Sequence, residues 1–200
     1  MNNEFTSHVK GNAFLYVLSF VALVVGIAAG SFCSVKLGVD EEKELSSYIA
    51  DFFSYYKDND IEFAAIFKSG LLYNLKYVLL CTIVSLSIYT FFAVYLMLGL
   101  RGFSLGFTVG LILIERGAKG MLFLILTVLP SCVLTLPLYL YMCVMCTRCA
   151  ISRHRLRENY RERKRELKSF LIIMLFLFVA LVVCGMIDTF LSPLVVKYVI

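Results

Sequence analysis

The chain alternates between long apolar runs and shorter polar segments. Residues 13–32 form an apolar run of 20 residues, which as a helix is long enough to cross a hydrocarbon core of about 30 Å. A cleaved signal peptide would normally have an apolar region of only about 7–15 residues, so we interpret this run as a retained first span. The later apolar runs predict helices over residues 75–98, 103–114, 121–145 and 170–187. The pattern therefore predicts an all-α, polytopic membrane helix bundle of about five spans in a single domain, residues 1–200.

Composition agrees with this class. Hydrophobic residues make up 60% of the chain and charged residues 16%, and the mean hydropathy is +0.86. Soluble domains average about 45–50% apolar and about 25% charged residues, so the chain is predicted to be an integral membrane protein. The seven cysteines are odd in number and lie mostly in or beside apolar runs, which argues against a disulfide framework.

Two polar segments of opposite charge set the predicted topology. Residues 35–74 carry eight acidic residues and four lysines, whereas residues 146–169 carry nine basic residues and three glutamates. Cytoplasmic loops are enriched in Lys and Arg, so the basic segment is expected in the cytoplasm and the acidic one outside. Arg101 is expected to close the second span on the cytoplasmic side. This gives a cytoplasmic N-terminus and a C-terminus outside the cell membrane.

The outer acidic segment has a second property. Leu45, Tyr48, Ile49, Phe52 and Phe53 follow the spacing of an amphipathic helix. Such a helix either covers the bundle at the membrane surface or provides a docking surface for an outside protein, and the sequence favours neither interpretation.

The basic segment is expected to form a charged helix that leads into the last span, because its glutamates and arginines recur at i, i+4 spacing. Near a membrane surface each basic residue adds about 1 kcal/mol of attraction to anionic lipid. The expected contacts with lipid headgroups or a partner come from Arg153, Arg155, Arg157, Arg161, Arg163 and Arg165.

Small residues recur every fourth position in the central part of the chain. In lipid, such a stripe lets another helix backbone approach closely. One stripe lies in the run 103–114 and just before it, and a second lies in the run 121–145, and we expect the two to face each other as a tight hairpin. The predicted helix-packing residues are Gly102, Gly106, Gly110, Thr127, Ser131 and Thr135.

The run 103–114 is unusual because its 12 residues give only about 18 Å of helix. It is predicted either to cross as a short helix or to be a sheltered re-entrant element. The next run contains Pro130 and Pro137, which cannot donate backbone hydrogen bonds, so a kink or break is expected at each. A further break is expected at Ser192-Pro193.

The sequence contains none of the common catalytic or cofactor-binding motifs. The chain has no Gly-x-Ser-x-Gly, His-Glu-x-x-His or phosphate-binding Gly-Lys-Ser/Thr motif, so no enzyme activity, cofactor or nucleic-acid partner is expected. Cys143, Cys146 and Cys149 have a spacing found in iron–sulfur sites, which need a fourth thiolate. Packing as small hydrophobic side chains is the favoured interpretation, and no metal is expected.

Glu115 is the candidate functional carboxylate. Ionisable groups at membrane depth are often functional. The alternative is that Glu115 belongs to a surface turn over residues 115–119, paired with Arg116 or Lys119, and the sequence favours this turn.

The central motif resembles that of a known family. The residues that carry the resemblance are Gly-Phe-Ser-Leu-Gly-Phe-Thr-Val-Gly at 102–110, Lys119-Gly120, Leu129-Pro130 and Pro137. Their order and spacing resemble the stage II sporulation protein M family, and the resemblance extends over nearly the whole chain. In the family a polar Asn or His often follows the Leu-Pro pair, whereas Ser131-Cys132 stand here.

The resemblance implies a role in endospore formation. A protein of this kind is expected in the mother-cell membrane as a non-catalytic scaffold of engulfment and peptidoglycan remodelling. It would recruit and localise peptidoglycan-degrading partners that resemble stage II sporulation proteins D and P. A homo-oligomer is compatible with these expectations.

The alternative hypothesis is a membrane subunit of an ATPase-coupled transporter. A short helix beside a proline-broken one also occurs in transporter sites, and residues 153–168 could form a cytoplasmic coupling helix. Such a site needs polar groups that converge at mid-membrane, and the sequence offers only Thr108, Thr127, Ser131 and Thr135. The scaffold is therefore the leading interpretation.

Overall fold

The computed structural model describes residues 12–36, 45, 47, 63–86, 91–155 and 160–199. In this part of the chain the fold is all-α, as predicted, and has no strand. The helices are α1 (Ala13–Val35), α2 (Phe63–Val84), α3 (Phe91–Phe123), a π-helical turn (Leu124–Val128), α4 (Leu129–Arg155) and α5 (Tyr160–Val199). The predicted amphipathic outer helix over residues 45–53 lies almost entirely outside the described residues.

Three described helical stretches are long and apolar enough to cross a membrane, namely Ala13–Val35, Phe92–Arg153 and Tyr160–Thr189. These apolar helices support a multi-pass membrane protein. Their outward faces carry exposed large apolar side chains, such as Phe14, Phe32, Phe92 and Phe176, which are each at least 60% exposed. Lipid is the natural environment for such faces.

The long stretch Phe92–Arg153 folds back on itself at Gly117. This residue has φ +54° and ψ −126°, a conformation open essentially to glycine alone. Ile112, which comes before this residue, packs against Phe123 and Leu124, which come after it. The two arms of the hairpin therefore run antiparallel. The turn predicted over residues 115–119 is therefore present.

Two predicted helix boundaries are wrong. The expected span 75–98 is interrupted, because α2 ends at Val84 and Ser85 and Leu86 form a turn before α3 begins at Phe91. The run 103–114 is not a separate short or re-entrant helix, because it continues α3 without interruption from Phe91. The glycines of this run stay helical because their open sides are filled by another helix, which offsets their low helix propensity.

The prolines perturb the helices less than expected. A π-helical turn over Leu124–Val128 precedes Pro130, and the Leu129 N–H donates to the Leu124 carbonyl. Local π geometry is one way in which membrane helices satisfy backbone groups near a proline. The helix α4 continues through Pro137. The break expected at Ser192-Pro193 is also absent, because α5 extends to Val199.

Pairwise contacts give the relative directions of the helices. On α1, Gly26 meets Gly99 and Ser34 meets Gly110 of α3, so α1 and α3 run parallel. Tyr139 of α4 hydrogen-bonds Asn74 of α2, and seven residues later in both helices Cys146 hydrogen-bonds Cys81. These two helices are therefore also parallel.

The last helix runs against α4. Ser152 of α4 hydrogen-bonds Glu166 of α5, and Ser131 and Cys132 of α4 lie near Asp188 of α5. On α3, Tyr95 meets Thr147 of α4 and Arg101 meets Tyr139 of α4, so α3 and α4 are antiparallel. Helices α1, α3 (before Gly117) and α5 therefore point one way, and α2 and α4 point the other way.

The main buried cluster lies where α2, α3, α4 and α5 meet, with one contribution from α1. It combines leucines, valines and aromatic side chains with cysteines and methionines, which fill the gaps between the larger groups. Its most buried members are Leu23, Cys81, Val94, Leu98, Met142, Cys143, Cys146 and Leu181.

Candidate functional site

The tightest contact in the bundle joins the backbones of α1 and α3. A Cβ atom added to Gly102 would lie 2.5 Å from the Leu23 carbonyl oxygen, and one added to Gly106 would overlap the Ile27 carbonyl. The Ser31 hydroxyl donates to the Gly106 carbonyl oxygen at 3.2 Å. The stripe Gly102, Gly106 and Gly110 is therefore a packing surface on which no side chain larger than hydrogen fits without a shift.

The prediction that this stripe packs against the stripe of Thr127, Ser131 and Thr135 is wrong. The stripe faces α1, which contributes Gly26 and Gly30; a Cβ atom on either would overlap a carbonyl oxygen of α3, that of Gly99 or Phe103. Glycine against glycine allows a closer backbone approach than glycine against the hydroxyl-bearing stripe of the hairpin's second arm. We call this α1–α3 contact the glycine interface.

The three hydroxyl residues of the second stripe have other surroundings. Thr127 is buried, in the π-helical turn. Ser131 lies near the Asp188 side chain on α5, and Thr135 donates to the Ser131 carbonyl oxygen within its own helix at 2.8 Å. The polar neighbour of this stripe on another helix is therefore on α5 and not on α3.

A second feature was missed by sequence reasoning. The Arg101 guanidinium of α3 lies against three tyrosine rings, with its central carbon 4.1 Å from the ring centroid of Tyr73, 4.5 Å from that of Tyr77 and 4.7 Å from that of Tyr139. The rings of Tyr77 and Tyr139 also pack edge to face, with their centroids 5.2 Å apart. Each such cation–π contact is worth about 0.5–2 kcal/mol, with the larger values when water is excluded.

One amide completes this cluster. The Asn74 Oδ1 atom of α2 accepts hydrogen bonds from the Tyr139 hydroxyl at 2.9 Å and from Arg101 Nη2 at 3.4 Å. Arg101 Nε is buried without an acceptor, and no described carboxylate forms an ion pair with this guanidinium. We call Tyr73, Asn74, Tyr77, Arg101 and Tyr139 the arginine cluster; it joins α2, α3 and α4.

The position of Arg101 corrects the sequence analysis. It lies ten residues after Phe91 and sixteen before Gly117, or about 15 Å and about 24 Å along the helix. Arg101 therefore does not close the expected span but lies within α3, part of a helical stretch that is long and apolar enough to cross a membrane. The sequence pattern that could have indicated this position is an arginine with an apolar run on each side and no proline within or between the two runs.

The other predicted functional residues lie at the ends of the bundle. Glu115 is exposed two residues before the turn at Gly117. Arg153 is half-buried near the end of α4, and Arg161, Arg163 and Arg165 lie in the first turns of α5. The side chain of Arg155 and the whole of Arg157 lie outside the described residues.

The cysteines pack as hydrophobic side chains. Cys143, Cys146 and Cys149 are buried, and the Cys146 thiol lies 3.6 Å from the Cys81 carbonyl oxygen of α2. In the described residues, no three His, Cys, Asp or Glu side chains form a group that could hold a metal ion.

The family comparison covers all these features. A family model described as Stage II sporulation protein M matches residues 19–193. The chain belongs to the stage II sporulation protein M family. The matched range contains the glycine interface, the arginine cluster and the turn at Gly117, and it supports a sporulation-related membrane protein. No curated protein and no solved structure matched the chain.

Proposed function

We propose that this member of the stage II sporulation protein M family is a non-catalytic membrane scaffold of the engulfment machinery. It recruits and localises peptidoglycan-degrading partners that resemble stage II sporulation proteins D and P. Family membership supports the sporulation context. The observation that carries the scaffold role is the packing around Arg101, whose partly buried guanidinium contacts side chains of both α2 and α4.

The packing of the arginine cluster favours a scaffold over a transporter. A transport site needs its charged group to line a water-filled cavity and to change partners during transport. Here three rings and one amide from two other helices cover the guanidinium. An arginine held in this way fixes the positions of α2, α3 and α4, and a stable bundle is what a scaffold requires.

The helix directions support five membrane crossings. Because α1 and α3 are parallel, the chain has to return across the membrane between them, and α2 provides that crossing. With the basic segment in the cytoplasm, α1, α3 and α5 cross outward and α2 and α4 cross inward. The acidic segment and the turn at Gly117 then face the cell wall, where hydrolase partners act.

The transporter alternative retains one supporting observation. An arginine at membrane depth is a candidate functional group by default, and Arg101 is such a residue. The alternative predicts a soluble ATPase as the main partner, and the scaffold predicts cell-wall hydrolases.

Affinity purification separates the two. The tagged full-length protein is isolated from sporulating-cell membranes, and the bound proteins are identified by mass spectrometry against a tag-only control. We expect hydrolases resembling stage II sporulation proteins D or P to be enriched. Enrichment of an ATPase without hydrolases would contradict the scaffold and move attention to Arg101 as a transport residue.

A further inference from the structure

A cavity of about 810 Å³ opens at the basic end of the bundle. Its walls are the first turn of α1, the last turns of α4 and the first turns of α5. This volume lies in the range of small-molecule sites, about 300–1,000 Å³. The cavity shares no residue with the arginine cluster, and of the arginines expected to contact lipid headgroups only Arg165 is among its lining residues.

The wall of the cavity changes character along the bundle axis. All of its charged side chains lie at the outer end, formed by the last turns of α4 and the first turns of α5, and most side chains further in, at the inner end, are apolar, although Tyr141 and Ser169 also line that part and Ile151 lies among the charged residues. The charged set is Arg148, Glu162, Arg165 and Glu166, and the apolar set further in includes Leu15, Met145, Phe170 and Ile173. Because the basic segment belongs at the cytoplasmic surface, the outer end lies at the level of lipid headgroups and the inner end faces the hydrocarbon.

The outer end carries charges of both signs. Arg148 and Arg165 provide two guanidinium groups, which suit phosphate oxygens. Glu162 and Glu166 provide two carboxylates one helical turn apart on α5, and the Ser152 hydroxyl bonds Glu166. A purely anionic headgroup would meet repulsion from these carboxylates, whereas a headgroup with a phosphate and an ammonium group would match both signs.

We propose that this cavity binds a zwitterionic phospholipid with a primary ammonium group, of the phosphatidylethanolamine class. Arg148 and Arg165 hold the phosphate, and Glu162 and Glu166 hold the ammonium group. The first part of the acyl chains lies against Leu15, Phe170 and Ile173. This site is independent of the hydrolase partners, so it can be tested without them.

Lipid retention by the purified full-length protein tests the site. The protein in detergent is mixed with phosphatidylethanolamine or phosphatidylglycerol of identical acyl chains, and bound lipid is counted by native mass spectrometry. We expect phosphatidylethanolamine to be retained in preference. Water-soluble glycerophosphoethanolamine at the same concentration should not displace it, because it lacks the acyl chains that the inner end contacts.

Substitutions on α5 assign the roles of the two charges. Arg165→Gln should weaken retention of both lipids by about fivefold, the effect of one basic residue near the surface. Glu162→Gln should weaken retention of phosphatidylethanolamine alone and so remove the preference. Lys164→Gln removes a basic side chain of the same helix that lies outside the cavity wall, so it is the matched control and should change neither.

Three results would overturn the proposal. They are equal or better retention of phosphatidylglycerol by the unmodified protein, displacement by glycerophosphoethanolamine, and an effect of Lys164→Gln as large as that of Arg165→Gln. The last result would mean that diffuse attraction to the basic surface, and not the cavity, holds the lipid. Unchanged melting temperatures of the variants establish that they remain folded.

Discussion

At the scale of single residues, Asn74 determines how a positive charge is accommodated inside the bundle. It is the described acceptor for both the Arg101 guanidinium and the Tyr139 hydroxyl. Removing a buried acceptor leaves its donors unsatisfied, which costs more than the average hydrogen bond contributes. The three tyrosine rings cannot replace it, because a ring face attracts the cation but accepts no strong hydrogen bond.

Substitution of Asn74 should therefore either lower or raise the free energy of unfolding, depending on the new side chain. Asn74→Leu should lower the free energy of unfolding by about 1–3 kcal/mol, because two donors lose their acceptor. Asn74→Asp keeps the shape and places a carboxylate beside Arg101, so it should raise stability through charge-assisted bonds. Denaturant unfolding in detergent micelles measures both. If the aspartate variant is destabilised as much as the leucine variant, Arg101 is not held as described.

The sequence predicts that the glycines are packing residues, but it does not predict the surroundings of Arg101. The fourfold spacing of Gly102, Gly106 and Gly110 indicates close packing whatever the partner helix. The surroundings of Arg101 depend on Tyr73, Tyr77 and Tyr139, which the fold brings together from positions up to 66 residues apart. No local pattern distinguishes an arginine that ends a helix from one that aromatic rings enclose within it.

At the scale of helices, the glycine interface holds α1 against α3. Both helices contribute glycines, and the Ser31 hydroxyl adds a hydrogen bond across the contact. Without water to drive apolar surfaces together, this close backbone packing supplies van der Waals attraction in its place. The integrity of the bundle should therefore depend more on these glycines than on those at open positions.

Gly106→Leu and Gly70→Leu make a matched pair for this claim. A side chain at Gly106 meets the Ile27 backbone, whereas one at Gly70 in α2 meets nothing within 4 Å. Gly106→Leu should cost about 3 kcal/mol, the upper end of typical overpacking, because backbone cannot move aside as a side chain does. Gly70→Leu should be neutral or stabilising, since leucine favours helix.

The yield of folded protein and its melting temperature in detergent check this pair. Equal behaviour of the two variants would show that the α1–α3 contact does not require glycine at position 106.

Helix boundaries show where sequence reasoning stops at this scale. The turn around Gly117 was predictable, because polar residues and glycines interrupt two apolar runs. The turn at Ser85 and Leu86 was not, because it falls within an apolar stretch. The last carbonyls of α2 are satisfied there, because the Ser85 hydroxyl donates to the Thr82 carbonyl oxygen and the Leu86 N–H donates to the Ile83 carbonyl oxygen.

At the scale of the whole molecule, the alternating helix directions connect the fold to the proposed function. Parallel α1 and α3, parallel α2 and α4, and antiparallel α4 and α5 are consistent with one arrangement of five crossings. Under the proposed topology, the basic segment lies on one side of the membrane, and the turn at Gly117 lies on the other. The proposed scaffold for cell-wall hydrolases needs a surface on the wall side, and we propose that this arrangement provides it.

The most direct test of this account is a map of membrane topology in living cells. Alkaline phosphatase is fused after residues 40, 88, 117 and 157 of the chain, since this enzyme is active only outside the cytoplasm. We predict activity for the fusions after residues 40 and 117, and none for those after residues 88 and 157. Activity after residue 88, or none after residue 117, would contradict the crossing of α2 or of α3, and the proposed wall-facing surface with it.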